Sequence, residues 1–539
     1  MVSTLRRAKE PLGNRGDACA PKTAYNGGRR TKPFTKGGMQ MSTNGANPET
    51  LDCDIAIAGG ALGGVSAAVV AAEKGKKVVL IEAGQRLGGT AVFSGGGIHI
   101  WGAKTWEEYS KHCPLAHPVL GRVLFERFED YVQWLLSTKA PGFYGSTTNR
   151  GLTLLKYQIG KSILPKGKLA FFDYMHGRIE QLGGKVLTGF KAKSLMLKDG
   201  RLTGITAEGG GRQVAIHASG VILATGGFQS NKKMLAQYIG PGADEFITRA
   251  VEHDMGDGLR MALEAGAAHS HSMDTLYGHL MPAPPCRIGW TNYLDPLIMS
   301  AFYAEHGIVV NTQGERFVDE GDGELTGLTI NAAARQPLGG MWIIMDHAIR
   351  MNHARYELPE KAIRPANLRY LEFMRYLGLR KDPAKISVII NSLKLAKDRG
   401  AILLEAKTIP DLAQQLAKHG VNGQRLVKTV EDYNAHVKDG IATGLAIPKA
   451  KGAHNIVAPP FYAIKVAVGV SMTYGGVAIN EHAEVLAKNG APIKGLYAVP
   501  GTAGGVQHLH YGGALAACGV YGMIAGERAA AVAVEAATA

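Results

Sequence analysis

Six residues, Gly59-Gly60-Ala61-Leu62-Gly63-Gly64, follow the apolar run of DCDIAIA and open GVSAAVVAAEKG, a stretch of small and apolar residues with helical spacing. A glycine turn there lets backbone amides approach a ligand, and the start of the following helix favours a negatively charged one. A second apolar run, KKVVLIE, ends in Glu82, 23 residues after Gly59, near the spacing at which a carboxylate accepts ribose hydroxyls. Strand, glycine turn, helix, strand and acid together read as a dinucleotide cradle, with Gly59 permitting the tight turn and Gly64 the close packing of helix on strand. Ala61 stands where this pattern has its second glycine. A further glycine cluster, RLGGTAVFSGGGIHIWG at 86–102, lies a few residues beyond the acid, as expected if backbone runs alongside an extended cofactor. At the other end of the chain, His508, His510 and Tyr511 share one short segment ahead of Gly512-Gly513, and Tyr474 precedes Gly475-Gly476. These side chains donate and accept protons, and a buried, hydrogen-bonded packing role competes with that reading at each.

The elements around these residues alternate. Strand-like runs (GKVLTGFKAKSLMLKDGRLTGITAE, ASGVILATGG) are interleaved with helical ones (NKKMLAQYIG, GDGLRMALEAGA), which predicts an α/β architecture without internal repeats. With 539 residues, more than one packed unit is expected. Order is expected to begin at Asp52, after an arm at 1–50 rich in Gly, Pro, Asn, Thr and basic side chains that reads as disordered. Residues 1–38 carry nine Lys/Arg against Glu10 and Asp17, a net of +7, which leaves +8 of the chain's +15 for the other 501 residues. The body is only mildly basic and shows no nucleic-acid motif, so no nucleic-acid partner is expected. Five scattered cysteines form no CxxC pair, zinc cluster or haem attachment, and no metal site is expected. Arg29-Arg30 is followed by no apolar segment of the kind an export signal needs, and no apolar run reaches the ~18 residues of a membrane span, so a cytoplasmic location is expected.

Seven pieces in one order, GGTAVFSGGG (88–97), GVILATGGF (220–228), GDGLRMALEAGA (256–267), GIVVNTQGERFVDE (307–320), PPFYAIKV (459–466), TYGGVAI (473–479) and GLYAVPGTAGGV (495–506), resemble the FAD-dependent family of fumarate reductase flavoproteins, urocanate reductases and 3-ketosteroid dehydrogenases. The resemblance implies a Rossmann-like FAD-binding domain at 51–275 and 469–539, interrupted by an α+β cap domain at 276–468, with the active site between them. It implies that Gly59, Gly60, Ala61, Gly63, Gly64 and Glu82 hold the adenosine diphosphate, with Ala192 facing adenine through its backbone. Gly88, Gly89, Thr90, Ser94, Gly95 and Gly96 would lie along the ribityl and isoalloxazine. Ala224, Thr225, Gly226 and Asp257 would complete the pocket together with Gly501, Thr502, Gly513, Ala514 and Leu515. Thr502 stands where the family usually has an acid. The histidine that anchors FAD covalently in succinate dehydrogenases has no counterpart in GGTAVFSGGG, which implies a noncovalent flavin.

The resemblance also bears on the substrate. Where fumarate reductases have a histidine before TxGG and an arginine before the last glycine pair, this chain has Ser471 and Met472, then His510 or Tyr511. A dicarboxylate without arginine forks would be an uncompensated charge. Tyr511 matches the tyrosine with which 3-ketosteroid dehydrogenases address a ketone oxygen, while the family's other cap tyrosine falls near Glu324 and is not carried over. Catalytic candidates are therefore Tyr511, His510, His508 and Tyr474, with His99 and Trp101 as pocket lining. The leading expectation is FAD-dependent dehydrogenation or reduction of a carbon–carbon bond beside the carbonyl of a neutral, apolar ketone such as a steroid-like compound. One alternative is an enoate or small unsaturated acid reductase using Arg287, Arg335 or another cap arginine; another, from a different class, is a non-catalytic flavin-binding protein. No second nucleotide fingerprint is visible, so the expected partners are a small-molecule substrate and an external electron carrier, a quinone or another flavin.

Overall fold

In the computed structural model the residues described are 49–100, 103, 105–141, 144–149, 153–158, 165–288, 298–323, 327–337, 340–358 and 388–538. The expected arm at 1–50, apart from Glu49 and Thr50, lies outside them, as do Trp101 and Glu324. Order begins earlier than Asp52. Strand Glu49–Asp52 pairs in parallel with Arg212–His217, and Glu49 meets Arg212 at 3.3 Å, so a cross-strand partner orders two residues that looked like arm.

The central sheet runs in the order Glu484–Leu486, Pro492–Ala498, Gly220–Leu223, Ile55–Ala58, Val78–Glu82, Lys185–Thr188. All its pairings are parallel except that of the edge strand Glu484–Leu486. Ile55–Ala58, Val78–Glu82 and Gly220–Leu223 are buried along their whole length, as the inner strands of a covered parallel sheet must be. Between the first two runs the helix Leu62–Glu73, made of small and apolar residues. The closing helix Ala514–Thr538 crosses it so closely that a Cβ on Gly522 would fall 2.3 Å from the carbonyl oxygen of Gly63. A meander of Lys191–Lys198, Arg201–Gly209 and Arg212–His217 completes this α/β half.

A second sheet is built on one 13-residue strand, Phe461–Thr473. Leu276–Pro282, Met341–Met345 and Leu403–Ala406 pair with it antiparallel and Ile247–Thr248 parallel, while Ile308–Val310 extends the sheet beyond Met341–Met345. The expected border at 468/469 falls inside this strand, because its hydrogen bonding continues through Gly469 to Thr473. We therefore propose that the flavin-binding and cap parts share the strand. Among the described residues no helix is long and apolar enough to cross a membrane.

Candidate active site

The carboxyl ends of three adjacent strands converge on one crevice, where an open α/β sheet binds ligands. Ile55–Ala58 leads into Gly59, whose φ of 105° suits glycine and whose Cβ, if present, would lie 2.1 Å from the carbonyl oxygen of Ala224. Gly220–Leu223 leads into Ala224, Thr225 and Gly226, and Pro492–Ala498 leads to Gly501, which lies beside Gly226. Ala61 is the N-cap of the first helix with no side-chain cap and no acid in the first turn, so its leading amides remain available to an anion. Gly63 and Gly64 lie in that first turn; a Cβ on Gly64 would meet the Gly59 carbonyl oxygen at 1.8 Å.

Glu82 ends its strand with a buried carboxylate that accepts from the amides of Gly60 (2.8 Å) and Gly84 (2.6 Å). Burial pushes its pKa up, and these two amides and His253 oppose the rise. Oxygen lone pairs remain for ribose hydroxyls. Gly88 precedes a 3-10 turn, Gly89–Phe93, that carries Thr90, and Gly95 is open on its Cβ side with nothing within 4 Å. Ser94 fixes the bend by accepting from the Gly96 amide. Ala192 is buried in its strand beside Lys191, which pairs with Asp257 at 3.0 Å in the first turn of helix Asp257–Glu264. Thr502 is fully buried and gives its hydroxyl to the Gly226 carbonyl (3.2 Å) within reach of Thr225 Oγ1 (3.2 Å), so it locks the crevice turn. An uncapped helix start, an acid at the second strand end and glycine edges without Cβ fit FAD.

Sequence reasoning missed Asp254. It is buried, accepts from Thr90 Oγ1 (2.5 Å) and Gln229 Nε2 (2.7 Å), and is pushed up to about 7 by burial. A HxMGDG stretch offered Asp257 as the obvious acid, and nothing in the pattern marked the one three residues before it.

Tyr511 is stacked on Tyr277 (ring centroids 4.2 Å) and meets His99 edge-on at 5.9 Å. Burial pushes its phenol up to about 12, partly offset by the amide of Ala514, the first residue of the closing helix. That helix start follows Gly513 (φ 110°), with Leu515 buried behind it. Tyr474 is buried among Tyr277, Tyr511, Cys113 and Tyr109, and its pKa is driven well above the usual phenol value, first by desolvation. Its hydroxyl has no hydrogen-bond partner among the described residues, and neither do the two amide atoms of buried Gln507. Tyr474, Gln507, Met472, Thr473 and Gly501 line one cavity. Leaving such groups unpaired costs roughly 1–3 kcal/mol each, so each calls for a partner that water or a bound ligand can supply.

His510 lies 6.2 Å from the ring of His112, whose Nε2 is 3.1 Å from the Tyr511 carbonyl. His508 is not brought to this cluster: Nδ1 meets the Leu115 carbonyl at 3.2 Å, and its ring packs edge-on to His271 near Asp274. The cap arginines considered for an acid clamp, Arg287 and Arg335, are both exposed, and Arg335 pairs with exposed Asp274 at 3.1 Å. Arg249, missed from sequence, is instead partly buried, with its guanidinium donating to Ser471 (2.8 Å) and Ser300 (3.0 Å). Tyr277, Tyr109 and Gln507 were missed because they come from a cap strand, a surface-like helix and a glycine run that carry no signature of their own.

Residues 54–520 match the family model described as an FAD binding domain. The chain is 29% identical over 499 residues to a protein of Shewanella frigidimarina named as a probable fumarate reductase, covering 88% of this chain and 74% of that one. Among solved structures, the open conformation of a flavocytochrome c3 fumarate reductase superposes with a TM-score of 0.61 at 26% identity, over 90% of this chain and 79% of that one. A 3-ketosteroid Δ1-dehydrogenase from Sterolibacterium denitrificans superposes with a TM-score of 0.68 at 19% identity, over 89% and 100%, which is likeness of fold alone.

Proposed function

Because the chain belongs to the FAD binding domain family and is an FAD-dependent oxidoreductase of its fumarate-reductase-like group, we propose that it reduces a carbon–carbon double bond conjugated to the carbonyl of a neutral, mostly apolar substrate. The observation that carries this reading is the group of buried Tyr474 and Gln507 with half-buried Tyr511, the Tyr474 hydroxyl and the Gln507 amide lacking partners. When bound, FAD supplies the two-electron hydride chemistry. The chain's own part is to orient the substrate, exclude water and hold the proton. Both phenols stay protonated at neutral pH, since Tyr511 is raised to about 12 and Tyr474 is also raised, so they are donors rather than bases. The reducing direction is that of the relative named as a probable fumarate reductase; in it hydride reaches the β carbon, negative charge grows on the carbonyl oxygen, and the α carbon takes its proton from Tyr474 or from solvent. Tyr511 donates to that oxygen, and the Ala514 amide at the start of the closing helix stabilises charge on the phenol oxygen. Tyr474 and Gln507 hold the substrate's remaining polar atoms. An external carrier, a quinol or a reduced flavin, returns the electrons.

Arg249 favours a second reading. A guanidinium beside Ser471, three residues from Tyr474, gives an unsaturated acid a charged anchor. One experiment separates the two: photoreduce the FAD-loaded protein without oxygen and follow flavin reoxidation with cyclic enones and with small unsaturated acids. Fast reoxidation by enones, unchanged in Arg249→Met, supports the neutral substrate. Reoxidation by acids alone, lost in that variant, replaces it with the acid reading, and reoxidation by neither class rejects both.

A further inference from the structure

Outside the crevice, three imidazoles from separate segments meet. His306 follows the 3-10 turn Phe302–Glu305, His353 ends the helix His347–His353, and His454 lies on the irregular stretch before Phe461–Thr473. One ring nitrogen from each lies within 4.8 Å of the other two. The ring centroids are 3.7 Å apart for His306 and His353, 4.9 Å for His353 and His454, and 5.3 Å for His306 and His454. We propose that His306, His353 and His454 bind one divalent first-row transition-metal ion of the zinc, nickel or copper class, which ties these three segments of the cap together.

Neutral imidazole nitrogen suits such ions, and three histidines with an open fourth position form a complete donor set. A tetrahedral ion about 2.1 Å from each nitrogen needs nitrogens about 3.4 Å apart, so nitrogens now within 4.8 Å of one another must close by up to about 1.4 Å when the ion binds. The Nδ1 of His306 is buried with no hydrogen-bond partner among the described residues, while its Nε2 lies 3.7 Å from Glu305 Oε1. A carboxylate that closes this gap to a hydrogen bond orients a metal-binding imidazole. Desolvation, first, and then the neighbouring rings lower the pKa of His306, to about 3, and desolvation and His454 lower that of His353, so the rings are neutral and ready to coordinate. Lys449 acts against His306 and His454 and Asp346 favours a cation at His454, while Glu320, Asp319 and Glu305 face Lys449 itself.

The test strips the FAD-loaded full-length protein of metal with a chelator, removes the chelator, and titrates Co2+ while recording its visible d–d bands. One tightly held equivalent with bands of a nitrogen-bound ion, displaced by Zn2+, is the expected result. His353→Phe and, separately, His454→Gln should weaken it roughly tenfold or more with the flavin spectrum unchanged, and His271→Ala, in the exposed pair with His508, should not. Zn2+ should raise the melting temperature of the wild type and leave that of His353→Phe in place. Absence of a saturating equivalent, or equal Co2+ affinity in both histidine variants, overturns the site. A loss in His271→Ala alone would place the ion at the surface pair and overturn it too.

Discussion

Tyr511 is the proposed donor that local sequence singled out, because its place ahead of a glycine pair is a local pattern. For the proposed donor role the structure supplies a phenol raised by burial to about 12 and opposed by the Ala514 amide at the helix start. Tyr511→Phe removes only that hydroxyl, so FAD content should persist while turnover on a verified substrate falls by roughly 10²–10³-fold. Near-wild-type turnover would hand the donor role to Tyr474. Asp254 was illegible because its significance is its burial, which no spacing encodes. Its native pKa of about 7 stands above the ordinary 3.8, so the folded chain binds the proton more tightly than the unfolded one. The group's contribution is therefore most favourable below about pH 4 and is lost as pH rises through about 7. Between pH 5 and pH 7.5 that loss amounts to about 2.5 kcal/mol. Asp254→Asn keeps a carbonyl acceptor for Thr90 and cannot titrate. Urea unfolding at the two pH values should show a smaller drop in the variant than in the wild type; parallel drops would mean that Asp254 carries no such charge cost.

At the scale of elements, strand, glycine turn, helix and strand were readable because apolar period and turn chemistry agree there. Two features were not. Gly469 looks like punctuation, yet it sits within Phe461–Thr473, where a Cβ would meet Met281 Cγ at 2.4 Å and Arg249 Cδ at 2.8 Å. Its role is to admit neighbouring side chains, so a boundary drawn there splits a continuous strand. The small residues of the closing helix announced a close crossing, but not its partner. That partner is the first helix: Gly522 faces Gly63 and Gly526 faces Ala67, at the turn that opens the dinucleotide crevice. Gly522→Val would set a side chain against the backbone of Gly63, and backbone cannot rotate aside. The two helices must separate, at a cost on the order of 1–3 kcal/mol. A lower melting temperature and weaker FAD binding together are the expected outcome, since the displaced helix carries Gly63 and Gly64. Destabilisation with FAD affinity intact would show that the crossing supports the fold but not the crevice.

Across the whole molecule, the proposed FAD contacts come from residues 59–61, 63–64, 82, 88–90, 94–96, 192, 224–226, 257, 501–502 and 513–515, which are adjacent only when the chain is folded. A ligand that binds such a set binds the native state and not the unfolded chain, so it adds stability as RT ln(1 + [L]/Kd), about 2.7 kcal/mol at a hundredfold excess over Kd. This separates the cofactor's energetic role from its chemical one. Protein stripped of flavin should melt several degrees lower, and its midpoint should climb with added FAD even in Tyr511→Phe, whose lost hydroxyl belongs to turnover. The proposed noncovalent attachment makes the same argument reversible. Acid precipitation, which unfolds the chain, must dissolve every one of these contacts at once, so the yellow colour should appear in the supernatant as intact FAD. Colour retained in the pellet would mean a covalent link. A midpoint indifferent to added FAD would mean that the dispersed segments do not form one binding surface.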